Sequence, residues 1–85
     1  MSARYAQITA TDGLPGAKPV TEFVAITSET EEFIVCWIVG LDGERKEFRT
    51  PEGLAERQWL IQRATISKLV PMEMDRTYCE LRPVA

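Results

Sequence analysis

The side chains able to do chemistry in this chain are thirteen carboxylates, ten cationic groups and two cysteines, with no histidine among 85 residues. The missing imidazole removes the commonest general base and the commonest metal ligand. Cys36 and Cys79 form no Cys-x-x-Cys pair, and neither a glycine-rich phosphate loop nor a serine in a nucleophile-elbow context occurs. Asp12-Gly13 and Asp42-Gly43 read as turn chemistry. Glu73 and Asp75 are a carboxylate pair of the kind that chance supplies in any acidic chain. The expectation is no catalysis, no cofactor and no metal site, and a protein that works by binding.

Binding directs attention to the charges and the two tryptophans. Acidic groups cluster at Glu29, Glu31 and Glu32, and again at Asp42, Glu44 and Glu47. Solvated turns account for such runs in most chains. The sharper reading is that they meet a basic patch on a nucleic-acid-binding partner. Arg45, Lys46 and Arg49, joined by Arg57, are the one local basic group, and Glu44, Glu47 and Glu52 dilute it. With a net charge of −3, the chain lacks the basic stripe that wraps a phosphate backbone, so direct nucleic-acid binding ranks below a protein partner. Trp37 lies in an apolar run, and Trp59, flanked by Glu56 and Arg63, is an anchor candidate of a residue type favoured at interfaces.

The elements that must position these groups follow from pattern. Residues 33–41, FIVCWIVGL, read as a strand apolar on both faces, with Phe33, Val35, Trp37 and Val39 on one side and Ile34, Cys36 and Ile38 on the other. Asp42-Gly43 then predicts a hairpin turn into a charged strand over residues 44–50. Residues 4–10 and 20–28 are two further strands, separated by a Gly- and Pro-rich loop over residues 12–19. Thr50 as N-cap, Pro51 at the first position and Glu52 near the positive end predict a helix over about 51–64. In that helix Leu54, Leu60, Ile61 and Ala64 form the apolar arc, Trp59 lies outside it, and Arg57 snorkels from within it. Pro71 is expected to end the next segment, residues 72–76 to be a turn, and residues 77–82 to be a last alternating strand.

The expected fold is therefore α+β in one compact domain, residues 1–85. It is a small antiparallel meander of three to five strands, open or curled toward a barrel, with the helix packed on one face. Both cysteines are expected to be small core hydrophobes in a reducing, cytoplasmic setting, because no signal peptide or apolar span of membrane length is present. The expected function is that of a small acidic protein acting by protein–protein contact, through Trp59, Glu29, Glu31, Glu32, Asp42, Glu44 and Arg63. Its concrete version is a phage or mobile-element inhibitor of a host nucleic-acid-processing complex, of the anti-CRISPR or anti-restriction type. The alternatives are a small nucleic-acid-binding protein and a dimeric accessory protein, the homodimer using the second face of the apolar strand.

Overall fold

The computed structural model describes residues 4–11 and 18–84, so the glycine- and proline-rich loop expected at 12–19 lies almost entirely outside the described residues. Eight strands run in order: β1 Arg4–Ala10, β2 Val20–Glu29, β3 Phe33–Val39, β4 Glu47–Thr50, β5 Gly53–Glu56, β6 Gln58–Gln62, β7 Ile66–Asp75 and β8 Glu80–Pro83. One 3-10 turn, Arg63–Thr65, precedes β7. Six strands form a single antiparallel sheet in the order β6-β3-β2-β1-β7-β8, and β4 with β5 forms a separate hairpin.

The helix expected over 51–64 does not exist, and the α+β class falls with it. Its start signal is a turn signal. In Thr50-Pro51-Glu52-Gly53 proline sits second and glycine fourth, the preferences of a β-turn. The Thr50 hydroxyl accepts from Glu52 N at 3.2 Å and donates to the Gly53 carbonyl at 2.7 Å. Gly53 has φ of +123°, which a side chain would strain. Beyond it, tertiary pairing overrides good helix propensity: Trp59 and Ile61 alternate inward along β6, while Leu60 is 62% exposed and Leu54 66% exposed. The apolar arc was thus drawn with the wrong period.

The Asp42-Gly43 turn is present, with Gly43 at φ +80°, but the hairpin it closes is short. Val39 bridges Arg45, Gly40 N donates to Glu44 O at 2.8 Å, and Lys46 N donates to Ile38 O at 3.0 Å. Ile38 N in turn donates to Arg57 O. Residues 40–45 are therefore a looped excursion that reverses the chain, which lies antiparallel to the end of β3 only through Lys46 and then leaves the sheet as β4. On that edge of β3 the longer partner is β6, with Trp37 opposite Gln58 and Phe33 opposite Gln62.

Two further boundaries differ. β7 runs through Pro71 to Asp75, where a break and a turn were expected. Pro71 is tolerated because its carbonyl accepts from Val84 N, so its ring nitrogen faces the chain just beyond β8, where the β7–β8 pairing has ended. The last strand begins only at Glu80. Cys79 precedes it with φ +55°, exposed in the turn, so one of the two cysteines is not a core residue.

The sheet is strongly curled. Pairing places Gln62 beside Phe33 at one end of the strands and Ile66 beside Ala10 at the other, four strands away. On a flat sheet those corners would lie roughly 30 Å apart. The four steps from residue 62 to residue 66 reach at most about 14 Å. Two β-bulges supply bending, one at Ile26/Ser28 and one at Thr9/Ala10. Each extra residue carries a hydroxyl that donates to the neighbouring strand's carbonyl: Thr27 to Val35 O at 3.2 Å, Ser67 to Thr9 O at 3.3 Å.

Curling gives the sheet an inner and an outer face. The inner face is the main core: Ala6, Ile8, Ala10, Val24, Ile26, Ile34, Cys36 and Ile61, packed by Trp59, Ile66 and Leu69. The outer face has a second cluster, Val39, Met72 and Leu81, with Tyr5, Phe23, Ala25, Val70 and Met74 against it. The excursion lies over that cluster, since Leu81 N donates to Leu41 O at 2.7 Å. A Cβ on Gly43 would come within 2.7 Å of Met74 Cε. Both faces of β3 are thus used, without a helix. No helix among the described residues is long and apolar enough to cross a membrane.

Candidate partner-binding groove

On the outer face, cross-strand register sets Tyr5 of β1 beside Ala25 of β2, and Ala25 beside Trp37 of β3. A small residue between two large rings leaves a notch floored by Ala25. The notch widens into a groove of about 640 Å³ between the sheet, the excursion and the β4–β5 hairpin, with Gly43, Glu44, Glu47 and Glu56 on its far wall. That volume lies within the range of small-ligand and side-chain pockets.

The electrostatics of the groove are uneven. Glu47 and Glu56 stand directly opposite each other in the β4–β5 ladder, an arrangement of like charges that destabilises a strand pair. Arg45 offsets part of this. Its Nη1 lies 3.5 Å from Glu56 Oε1, and its guanidinium sits 4.0 Å from the centre of the Trp37 ring. Glu44 and Glu47 have no ion-pair partner among the described residues. Three carboxylates and one guanidinium, which pairs with Glu56, therefore stand beside two aromatic rings. Chemically this is a place for a cation with a flat or apolar body.

The residues expected to form the contact are distributed over three places. Glu44 lines the groove, whereas Asp42 is spent on its own turn, its Oδ1 accepting from Glu44 N at 3.0 Å. Glu29, Glu31, Glu32 and Arg63 come together at the opposite end of β3, roughly 20 Å away along the strand. There Arg63 bonds Glu29 Oε1 at 3.0 Å and the Thr30 carbonyl at 2.7 Å, and Arg4 also pairs with Glu29. One of the three carboxylates of that run, Glu29, is therefore already met by two cations of the chain.

Trp59 is half-buried on the inner side, where it borders a recess of about 240 Å³ with Val20, Ile38 and Phe48. Arg57, exposed between β5 and β6 and not snorkelling from a helix, stacks 4.3 Å from the centre of the Phe48 ring at the rim of that recess. The basic group is dispersed as well: Arg45 faces Glu56, and Lys46 lies 4.0 Å from Glu22.

Cys36 lies in the inner core. Burial pushes its thiol from 9.0 up to about 11, and Sγ donates to the Trp59 carbonyl at 3.4 Å. It is an inert core residue at neutral pH. Among the described residues no three His, Cys, Asp or Glu side chains are placed to hold a metal ion.

Tyr5, Ala25 and Glu56 were missed as groove residues. Each is unremarkable in its own segment, and only the strand order brings them together. Compared with protein families, curated proteins and solved structures, the chain matches none.

Proposed function

We propose that this is a non-enzymatic binding protein acting by protein–protein contact, and that its contact surface is the outer-face groove, which takes a basic segment of the partner. The observation that carries this reading is the Glu47–Glu56 pair, two carboxylates set opposite each other beside the half-buried rings of Trp37 and Tyr5. Such a pair costs stability in the free protein and is relieved by an incoming cation. Aromatic rings supply the apolar part of the contact.

The concrete biological version is an inhibitor, of phage or mobile-element origin, of a host nucleic-acid-processing complex. Surfaces that bind nucleic acid are rich in Arg and Lys, and a groove with excess carboxylate competes for them. Direct nucleic-acid binding is less favoured, because Arg45 and Lys46 face carboxylates of the chain itself.

Calorimetric titration at low salt with a short arginine- and lysine-containing peptide tests the reading, with an acidic peptide of equal length as control. Saturable binding of the basic peptide alone is expected, weakened at least tenfold by Trp37→Ala or Glu47→Gln. Absence of binding, or binding indifferent to both substitutions, overturns it. A mobility shift of labelled oligonucleotide and light scattering at high concentration test the nucleic-acid and dimer readings in the same buffer.

A further inference from the structure

The groove already contains a cation, and it belongs to the chain. We infer that the partner group recognised there is an arginine side chain, and that Arg45 is a resident competitor which the partner's arginine displaces. This rests on the binding reading above and names both the chemistry of the ligand and a limit on its affinity.

Three observations support it. The Arg45 guanidinium makes the contacts an incoming arginine would make: it lies 4.0 Å from the centre of the Trp37 ring and 3.5 Å from Glu56. A planar, weakly hydrated guanidinium stacks on an indole and meets a carboxylate at once, which a compact ammonium does less well. Next, the contact is releasable. The side chains of Arg45 and Glu56 are 47% and 44% exposed, so water can take over both ends of the pair.

The Arg45 backbone, in contrast, is fixed by its bridge to Val39 and by the Gly40–Glu44 bond. Displacement then needs only side-chain rotation, with no change in the excursion. Last, one guanidinium does not satisfy the site. Glu44 and Glu47 remain without an ion-pair partner among the described residues, so the charge of the groove favours more cation than Arg45 supplies.

A resident competitor lowers apparent affinity by the free energy of its own contact. One exposed cation–π contact and one exposed ion pair correspond to roughly 5- to 30-fold in a dissociation constant. The experiment measures binding of an arginine peptide, and of the same peptide with lysine in place of arginine, to the wild-type protein, Arg45→Ala, Arg45→Lys and Trp37→Ala. Circular dichroism and the unfolding midpoint confirm that each variant is folded.

Arg45→Ala is expected to bind the arginine peptide about 5- to 30-fold more tightly than wild type, with Arg45→Lys between them. Trp37→Ala is expected to weaken binding and to reduce the preference for arginine over lysine. If Arg45→Ala binds more weakly or equally, Arg45 is a contact or a bystander and the competitor inference is overturned, while the groove remains a binding site. Equal affinity for both peptides overturns the arginine assignment alone. If neither peptide binds any variant, the binding reading itself fails.

Discussion

The inner and outer faces of the curled sheet are built from alternate residues of the same strands, yet they are finished differently. Inside, Ile8, Val24, Ile34, Cys36 and Ile61 are at most 1% exposed, and no polar side chain is buried among them. Outside, Val39, Met72 and Leu81 are covered by the excursion, but Tyr5, Ala25 and Trp37 beside them are only half-buried. The inner face has small residues, Ala6 and Ala10, flanking Ile8, so the sheet can close tightly on itself. The outer face has rings, and carboxylates stand along its rim. The difference teaches which apolar surface serves folding and which remains available for recognition.

The sharpest way to break this comparison is to truncate one residue on each side. Ile8→Ala removes a side chain that is 0% exposed at the centre of β1, and a loss of about 3–4 kcal/mol is expected. Trp37→Ala removes a half-buried ring and one exposed stacking contact, so about 1–1.5 kcal/mol is expected despite the larger side chain. Urea denaturation of both variants checks this. Equal losses would show that the outer face is core, and the groove would lose its claim.

The inner face can also be probed through pH. Cys36 holds its proton in the folded state up to about pH 11, whereas in the unfolded chain its pKa is near 9.0. Below pH 9 both states are protonated and this group adds no pH dependence. Between 9 and 11 the unfolded chain releases the proton and the folded chain keeps it, so stability falls as pH rises. The two-unit difference corresponds to about 2–3 kcal/mol, fully lost above pH 11. The measurement is the difference between wild type and Cys36→Ala. A difference that stays constant from pH 8 to 11 would mean that water reaches the thiol and that the inner face is not closed.

How far these faces were legible in the sequence depends on the range of the signal. β1 has the bounds its pattern predicts and β3 ends two residues before the predicted 41, because their alternating or continuous apolar runs are local. The opposed faces of β3, Ile34, Cys36 and Ile38 against Phe33, Val35 and Trp37, also followed from period two alone. The helix failed because Thr-Pro-Glu-Gly satisfies a helix start and a β-turn equally. The residues after it have helix propensity that only the pairing of β6 with β3 overrides. Pro71 reads as a break for a similar reason, since its nitrogen is harmless only because the pairing with β8 ends at Met72 and Pro83.

The groove was less legible still. Trp37 and the acidic cluster that includes Glu44 and Glu47 are each visible in the sequence, as separate features. What joins them to Tyr5 and Glu56 is a lateral row across β1, β2 and β3 together with a hairpin folded over it. Neither leaves a pattern along the chain.

The smallest expected effect separates the groove from the acidic residues at the far end of β3. Glu29 pairs with both Arg4 and Arg63, in a setting where the arginine side chains are 55% and 38% exposed. Ion pairs this open contribute little, and Glu29→Gln is expected to cost about 0.5 kcal/mol, less as salt is raised. Glu31→Gln and Glu32→Gln are expected to cost nothing measurable. None of the three should change affinity for a basic peptide by more than about twofold, because the groove lies several Debye screening lengths of ordered chain away only at high salt, and about two at 0.15 M. Titrations at 0.05 M and 0.3 M salt make the distinction. A loss that vanishes at the higher salt is long-range attraction to the acidic end. A loss that persists there means the partner touches Glu29, Glu31 or Glu32 directly, and the contact surface then extends along β3 instead of ending at Trp37.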